Sequence, residues 1–434
     1  MKLRSVLFMN CYRLLTTFLV YPAACYLAIR RRHDPPYGRG FWQLFGYGLP
    51  RQSKRCVVFY AASMGEANSL KTLASAFATR HPGIRTVVSV MTTTGRQAAL
   101  KISGVEVVFA PLDQICACRR FFRKLRPLIM VNVDTELWPE KLAAAARYDC
   151  PTVIVNARMQ QKNLDKYLRH KDITKDLLAS RLSMVLCSSQ ADAARYRALG
   201  VPSCKISVTG NIKYDISLDQ DLFELGRNCK AYGGQVIGAL SLHPGEEEPV
   251  VEAFLTMIKK IPNLRMVIVP RHLKDTEAIQ SLLNKNNIAY QKRSTLKSMT
   301  EFTQGILIGD SMGEMPMYLG LCDLAFEGGS FVKIGGHNPI EPASCAIPVL
   351  TGPDYHNFKS EYDELIRSGG ASVCYDAEDL ANNALKLLLS KTELERCANA
   401  AISSVKSGRG AVERTLDTLD EILSHHRMEP ESPR

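Results

Sequence analysis

Short apolar runs alternate with longer stretches of helical periodicity along most of the chain. Short runs of this kind, bounded by turn-forming residues, are typical of buried strands, and their alternation with helices predicts parallel, doubly wound sheets. A first series of predicted strands covers residues 57–61, 86–90, 105–109, 128–133, 152–155 and 184–187. A second series covers residues 236–240, 266–269, 305–308, 324–326 and 347–350.

A polar stretch between the two series divides the chain. We predict an α/β fold of two tandem Rossmann-like domains, at residues 51–215 and 234–424, joined by a linker at residues 216–233. Residues 1–50 precede the first domain, and a polar tail at residues 425–434 is predicted to be disordered. In open parallel sheets ligands bind at the carboxyl ends of the strands, so we expect a site in a cleft between the domains.

The N-terminal segment differs from the body in charge and hydropathy. Of the net charge of +12, +9 lies in residues 1–55, which hold ten Lys or Arg and one acid, Asp34. An uncharged run at residues 14–29 is followed at once by Arg30, Arg31 and Arg32. A basic, apolar segment of this kind predicts attachment to an anionic membrane surface rather than to nucleic acid, for which the charge would follow a groove.

Two modes of attachment remain open. As a helix the uncharged run reaches about 24 Å, less than the roughly 30 Å of a bilayer core, so it is either a marginal spanning helix or one that lies in the interface. A signal peptide fits poorly, because no small-residue cleavage site precedes the arginines. The thirteen cysteines include no CxxC pair, which indicates a reduced, cytoplasmic compartment and no structural zinc.

The stretch after the predicted strand 324–326 contains two glycine pairs and then Asn338, Pro339, Ile340 and Glu341. Asn338 is a good N-cap, Pro339 fits the first helical position, and Glu341 has the spacing of a capping-box carboxylate. A glycine loop followed by a helix start exposes backbone N–H groups, so the pattern predicts a seat for an anion such as a phosphate. A well-capped helix after a flexible loop is the alternative.

Two further strand-to-helix junctions have capping-box spacing. Residues 63–66 and 311–314 are both Ser-Met-Gly-Glu. Glu66 either caps its helix or acts as a general base at the tip of the first strand, and one side chain could do both in turn.

Polar residues follow several other predicted strands. Asp134 and Glu136, with Trp138, follow the strand 128–133, and they either favour a helix dipole or form part of a site. The same choice between ligand contact and a solvated or loop-shaping role applies to Arg158, Lys213 and His243, and Arg271 is a candidate phosphate ligand. An arginine at the end of a strand can bind phosphate through two hydrogen bonds.

The motifs together resemble a known family. The segments SMGE, TELWP, NAR, TGNIKYD, PRH, GDSMGE, GGHNPIEP and GPDYHNF occur in this order in the transferases of 3-deoxy-D-manno-octulosonic acid (Kdo), and the resemblance covers essentially the whole chain. It implies a two-domain GT-B fold with an N-terminal membrane-anchoring helix. It also implies transfer of Kdo from CMP-Kdo to a lipid A precursor, lipid IVA, with inversion and without a metal or cofactor, at the cytoplasmic face of the inner membrane.

The resemblance also implies roles for particular residues. Glu66 matches the family's proton acceptor, and Glu136 and Lys213 match its transition-state stabilisers. The positions that match its CMP contacts are Pro270, Arg271, Met312, Gly313, Glu314, Asn338, Pro339, Ile340 and Glu341.

This chain departs from the family pattern at four places, Asp134, residues 159–161, Leu242 and Ile334. The change at residues 159–161 lies in the first domain and therefore bears on the acceptor. Two other functions remain open: a glycosyltransferase of the same architecture that uses a different nucleotide such as UDP, and a membrane-tethered sugar-nucleotide binder without catalysis.

Overall fold

The computed structural model describes residues 2–30, 38–50, 54–216, 218–230 and 233–428. The described residues form two compact units, one made of those up to residue 215 together with those from 409 onward, and the other of those between 216 and 408. Each unit contains one parallel sheet of seven strands. The predicted α/β class, with two Rossmann-like domains in tandem, is therefore confirmed.

The sheet of the first unit has the strand order β3-β2-β1-β4-β5-β6-β7. Its strands are β1 (Cys56–Ala61), β2 (Arg85–Val90), β3 (Glu106–Phe109), β4 (Pro127–Val133), β5 (Thr152–Ala157), β6 (Met184–Cys187) and β7 (Ile206–Val208). The helices are α1 (Leu3–Arg30), α2 (Met64–Arg80), α3 (Thr93–Ala99), α4 (Ile115–Leu125), α5 (Pro139–Arg147), α6 (Gln161–Leu168), α7 (Lys171–Leu177) and α8 (Gln190–Leu199). Residues of β1 and β4 are fully buried, which explains why these strands are continuous apolar runs.

The sheet of the second unit has the order β10-β11-β9-β8-β12-β13-β14. Its strands are β8 (Val236–Leu242), β9 (Arg265–Pro270), β10 (Tyr290–Lys292), β11 (Ile306–Ile308), β12 (Leu324–Glu327), β13 (Val349–Thr351) and β14 (Ala371–Val373). The helices are α9 (Gln220–Lys230), α10 (Glu247–Ile258), α11 (Thr276–Lys285), α12 (Met315–Leu321), α13 (Ile340–Ser344), α14 (Lys359–Ser368), α15 (Ala377–Leu388) and α16 (Lys391–Gly408).

The stretch predicted as a linker, residues 216–233, contains helix α9 instead. This helix crosses α12 at two glycines: a Cβ on Gly226 would come within 2.0 Å of the Met317 carbonyl oxygen, and one on Gly320 within 2.1 Å of the Phe223 carbonyl oxygen. Small residues let two helix backbones approach this closely. The linker prediction is wrong because the polar composition of α9 concealed a helix that packs on the second unit.

The last helix, α17 (Ala411–Met428), belongs to the first unit and not to the second, so the predicted domain end at residue 424 is wrong. Its buried side chains Leu416, Leu419 and Leu423 join the core beneath β1 and β4. The Asp215 carboxylate accepts hydrogen bonds from the N–H groups of Gly410 and Val412, at 2.7 and 2.6 Å. The predicted disordered tail is helical from residue 425 to 428, and residues 429–434 lie outside the described part of the chain.

Helix α1 covers the uncharged run of the N-terminus. It is held to the first unit by the Tyr12 hydroxyl, which donates to Asp113 at 2.7 Å, and by an ion pair between Arg13 and Glu140. Away from these contacts the helix exposes apolar side chains, namely Leu3, Leu7, Phe8, Leu14, Leu15, Phe18, Leu19, Tyr26 and Ile29. Among the residues described, none of the helices has both the length and the apolar character needed to cross a bilayer. Arg31 and Arg32 lie outside the described residues.

Candidate active site

In the first unit the predicted site residues follow strands whose carboxyl ends meet at one edge of the sheet. Glu66 follows β1, Glu136 follows the neighbouring β4, and Lys213 lies in a short 3-10 turn, Ile212–Tyr214, after β7. The switch in strand order between β1 and β4 is where doubly wound sheets bind ligands. The topology therefore places Glu66 and Glu136 at the switch point where ligands bind in this class of sheet.

Glu66 lies in the first turn of α2 and takes part in its cap. The Ser63 hydroxyl accepts from the Glu66 N–H at 3.3 Å, and a Glu66 carboxylate oxygen accepts from the Ala62 N–H at 2.5 Å. A capping box would use the N–H of Ser63 rather than that of Ala62. Helix α2 is thus capped by Ser63 as the spacing predicted, but the Glu66 carboxylate accepts from the N–H one residue before the expected one.

The chemistry of Glu66 suits proton transfer near neutral pH. Burial raises the pKa of Glu66 to about 7, and the charges of Glu136 and Asp134 act in the same direction against the hydrogen bond from Ala62. The ideal pKa of a general base lies near the working pH. Capping and base catalysis are therefore compatible in this side chain.

The acidic segment after β4 does not cap helix α5. The cap of this helix is Asp113, whose carboxylate accepts from the N–H groups of Glu140 and Lys141 at 3.1 and 2.8 Å. The Glu136 carboxylate instead accepts from the indole N–H of Trp138, whose side chain is 40% exposed and not part of the core. The segment does lead into α5, which starts at Pro139, but Asp113 caps this helix, and Glu136 is held at the strand end by Trp138.

Lys141 is a residue that the sequence analysis missed. Its ammonium group lies 3.2 Å from the centre of the Tyr60 ring, and the residue is only 2% exposed. Burial lowers the pKa of Lys141 to about 8 against the opposing effect of nearby acids that include Asp113, Glu136 and Glu66. The sequence signal for a buried Lys141 is its position next to the alanine-rich part of α5. A lysine is ordinarily exposed, so this signal is weak.

In the second unit, basic groups follow β9, β8 and β12, which are neighbours in the sheet. Arg271 is exposed directly after β9. His243, after β8, is hydrogen-bonded through Nε2 to Nε2 of His337 at 2.9 Å, and the two rings are stacked. Burial, followed by the charge of Arg271, lowers the pKa of His337 to about 4, so this imidazole is neutral at physiological pH. Of these histidines the sequence analysis had singled out only His243.

The predicted capping box at residues 311–314 is wrong. Helix α12 starts at Met315, and Glu314 is the residue before it. The Glu314 carboxylate accepts hydrogen bonds from the Ser311 hydroxyl and, at 2.8 Å, from the Arg293 guanidinium. Gly313 has a φ of +83° and open space beside it, and Met312 is 75% exposed. These residues form an accessible turn after β11, and Arg293 is a basic neighbour that the sequence analysis missed.

The glycine loop after β12 does not offer an empty seat for a phosphate. The backbone N–H groups of Gly329, Ser330 and Phe331 all donate to the carboxylate of Glu246, at 2.6, 2.9 and 2.9 Å. The His243 N–H donates to the same carboxylate at 2.9 Å, and Glu246 is fully buried. These N–H groups of the loop do bind a carboxylate, but it is a side chain of the protein itself.

The segment 338–341 begins a helix one residue later than predicted. The Asn338 side chain accepts from the Ile340 N–H at 3.2 Å, and α13 runs for only five residues with Glu341 in its first turn. Pro339 is buried and the Ile340 side chain is fully buried, so Ile340 could contact a ligand only through its backbone. Pro270, the last residue of β9, is likewise buried.

Comparisons with known proteins agree with this architecture. A UDP-GlcNAc 2-epimerase from Neisseria meningitidis, solved with UDP-GlcNAc bound, aligns with a TM-score of 0.57 at 15% identity over 85% of this chain and all of its own. With its two seven-stranded parallel sheets, the chain has the fold of the GT-B class. The model of the family described as 3-deoxy-D-manno-octulosonic-acid transferase (kdotransferase) matches residues 39–216.

Curated relatives extend this match over nearly the whole chain. The 3-deoxy-D-manno-octulosonic acid transferase of Haemophilus influenzae is 30% identical over 410 residues, which are 93% of this chain and 96% of the relative. The enzyme of the same name from Bordetella pertussis is 29% identical over 403 residues, with 88% and 93% covered. The chain belongs to the 3-deoxy-D-manno-octulosonic acid transferase family.

Proposed function

We propose that this chain is an inverting glycosyltransferase that moves Kdo from CMP-Kdo to a lipid A precursor, lipid IVA, with Glu66 as the general base and without a metal. The observation that supports the base most directly is the position of Glu66 at the end of β1 together with its pKa, which burial raises to about 7. A carboxylate with this pKa is ionised often enough to accept a proton and basic enough to hold it.

In the proposed reaction a hydroxyl oxygen of the acceptor sugar attacks the anomeric carbon of Kdo as the bond from that carbon to the CMP phosphate breaks. Glu66 takes the proton of the attacking hydroxyl, and CMP leaves with the bonding electron pair. Attack opposite to the leaving group inverts the anomeric centre. One Glu66 oxygen already accepts from the Ala62 N–H, so the second oxygen would take the proton.

Glu136 and Lys213 would stabilise charge in the transition state. Glu136 is held by the Trp138 indole, and its negative charge suits a positive anomeric carbon. Lys213 would offset the charge that develops on the departing phosphate. A monophosphate leaving group carries less charge than a diphosphate, and a lysine is then sufficient where other transferases use a divalent ion.

The second unit would bind the donor. We assign contacts with CMP to Pro270 and Arg271 at the end of β9, to residues 312–314 after β11, and to residues 338–341. The Arg271 side chain is exposed to solvent, so its guanidinium is accessible to a phosphate. Glu314 and Glu341 would accept hydrogen bonds from ribose hydroxyls or the cytosine amino group.

We further propose that α1 lies in the membrane interface at the cytoplasmic face of the inner membrane. Its exposed apolar side chains support this arrangement, and its polar contacts with Asp113 and Glu140 would hold the first unit at the surface where a lipid acceptor is found. Replacing Leu15 and Phe18 by glutamate should abolish flotation with vesicles of anionic phospholipid. Leu389→Glu, at an exposed leucine after α15, is the matched control and should float like the wild type.

The test of the function is a transfer assay on the full-length protein in detergent, with CMP-Kdo generated in situ, a tetra-acylated lipid A precursor and EDTA. Product from the wild type and none from Glu66→Gln would support the donor, the acceptor and the base, and the mass of the product gives the number of Kdo residues added. Calorimetry with CMP and UMP tests the nucleotide, since a cytosine site rejects uracil through unpaired polar groups. No product from a folded wild type, with tighter binding of UMP, would overturn the proposal.

A further inference from the structure

Asn156, the next-to-last residue of β5, connects two loops of the first unit. Its side-chain N–H donates to Oδ1 of Asp134 at 2.8 Å, and its side-chain oxygen accepts from the N–H of Ile212 at 3.2 Å. A carboxylate can only accept and a backbone N–H can only donate, so these partners fix the orientation of the amide. Asn156 is fully buried, and it uses both halves of its amide for contacts distant in sequence.

The backbone around Asn156 is shaped to make these contacts. The pairing of β5 with β6 shifts register between Ile154 and Ala157, and Asn156 itself has a φ of +53°. Asp134 at the end of the adjacent strand β4 also has a positive φ, +60°. An irregular strand end redirects a side chain, and left-handed conformations at non-glycine residues are more often found at functional sites.

The two loops that Asn156 joins contain residues to which the reaction has been assigned. Asp134 begins the loop with Glu136, and the carbonyl oxygen of Glu136 accepts from the side chain of Asn132 at 3.1 Å. Ile212 begins the 3-10 turn with Lys213, whose N–H donates to the side chain of Asn211 at 3.0 Å. Each loop is therefore fixed internally, and Asn156 is the side chain that binds both.

We propose that Asn156 is a positioning residue for glycosyl transfer, which holds the loop of Glu136 and the loop of Lys213 at a fixed separation. This inference rests on the proposed function, because it takes Glu136 and Lys213 as the groups that act on the transition state. Asn156 does not itself touch the reacting atoms. A displacement of about 1 Å in such a group can cost on the order of a hundredfold in rate.

The hydrogen-bond pattern allows a test by exchange of the two side chains. In Asn156→Asp the new carboxylate can still accept from Ile212, but it faces Asp134 without a proton between them. Two carboxylates at hydrogen-bond distance repel each other, so the loops should separate. Adding Asp134→Asn restores the pair with the donor on the opposite side and leaves the total charge of the site as in the wild type.

We expect Asn156→Asp to lower kcat by ten- to a hundredfold, with the KM for CMP-Kdo unchanged because the donor contacts lie in the second unit. The double variant should return to within about fivefold of Asp134→Asn alone, the residual loss being that of one imperfect hydrogen bond. Asn399→Asp, at an exposed asparagine of α16, is the charge-matched control and should react at the wild-type rate.

The rescue separates positioning from a merely structural role. If Asn156→Asp were slow only because it is unstable, its melting temperature and its fraction of active protein would fall. Adding Asp134→Asn would then not restore kcat per active site. Wild-type turnover in the same assay reports on the proposed function. Within an active enzyme, a wild-type kcat for Asn156→Asp, or a double variant as slow as the single one, would overturn the inference.

Discussion

Residues 63–66 and 311–314 have the same sequence, Ser-Met-Gly-Glu, yet they adopt two different structures. In the first unit Ser63 caps α2 and Glu66 lies within the helix, in its first turn. In the second unit the helix starts only after Glu314, and the Ser311 hydroxyl donates to Glu314 instead of accepting from its N–H. Four identical residues therefore place one carboxylate inside a helix and the other in the turn that precedes it.

The residues that follow explain the difference. Pro316 comes two positions after Glu314, whereas Ala67 and Asn68 follow Glu66. If α12 began at Met312, Pro316 would be the fifth helical residue, where its missing N–H and its ring would break a backbone hydrogen bond. With the start at Met315, Pro316 lies in the first turn, where it is favoured. A motif therefore fixes its structure only together with the residues that continue the helix.

A third acid, Glu246, extends the comparison. Its buried carboxylate accepts from four backbone N–H groups, whereas that of Glu66 accepts from one, the N–H of Ala62. A carboxylate whose two oxygens both accept from backbone N–H groups is tied to its loop and has a structural role. One with few donors in a partly buried place keeps a high proton affinity, which is what a base requires. The number of donors distinguishes the two roles better than the sequence spacing does.

The strongest test of the comparison exchanges each glutamate of the two identical segments for glutamine. Glu66→Gln should lower kcat by about 10² to 10⁴, the usual contribution of a general base, with little effect on CMP affinity. Glu314→Gln should act on binding and raise the KM for CMP-Kdo by about ten- to a hundredfold, since one charged hydrogen-bond acceptor is lost. Steady-state kinetics of both variants, with CMP calorimetry, gives the measurement.

For the comparison to hold, Glu66→Gln must act on kcat and Glu314→Gln must act on the KM for CMP-Kdo. If Glu314→Gln abolished kcat at saturating donor, or Glu66→Gln weakened only binding, the assignment of the base to the first unit would be wrong.

A second prediction concerns Glu246. Glu246→Gln removes the charge and half of the acceptor capacity beneath the glycine loop, so we expect a loss of about 2 to 3 kcal/mol in the free energy of unfolding of the second unit. Amide hydrogen exchange at residues 329–331 should accelerate, and urea unfolding followed by circular dichroism gives the energy. Glu248→Gln, an exposed neighbour on α10, should leave both unchanged. Equal exchange in the two variants would contradict the structural role.

A third prediction uses pH. Because the base must be ionised and the pKa of Glu66 is raised to about 7, kcat/KM should increase with pH up to about 7 and then level off. Asp134 is one of the negative charges that raise this pKa, so Asp134→Asn should move the acidic limb of the profile to lower pH, by on the order of half a unit. Asp310→Asn, at an acid of the second unit, should leave the limb in place. A limb that does not move, or that moves to higher pH, would show that another group titrates.

The sequence predicted most of the fold because most strands are buried on both faces. Eleven of the fourteen strands were predicted, with bounds that differ from the structure by at most two residues. The three that were missed, β7, β10 and β14, are three of the four edge strands, have three residues each and contain half-buried positions. The fourth edge strand, β3, is longer and was predicted. An edge strand needs no continuous apolar run, so its pattern does not differ from that of a loop.

The candidate site was predicted as a set of residues but not as a set of contacts. Glu66, Glu136, Lys213 and Arg271 do follow strands at the expected edges of the two sheets. That Asp113 caps α5, that Glu246 fills the glycine loop and that Asn156 joins two loops depends on pairs of residues 22 to 85 positions apart in sequence. Local spacing contains no information about such pairs, so none of these contacts could be predicted from it.

The smallest predicted effect returns to the serines of the two segments. Ser63 accepts a hydrogen bond from the N–H of Glu66 as the N-cap of a helix of 17 residues, so Ser63→Ala should lower the free energy of unfolding of the first unit by about 1 kcal/mol. Ser311 caps no helix, and its hydroxyl joins Glu314 to Tyr318, so Ser311→Ala should cost about half as much and act mainly on the donor site. Urea unfolding of each variant measures the cost. An equal loss of stability at both positions would mean that the shared sequence, and not the proline that follows the second copy, decides how each helix begins.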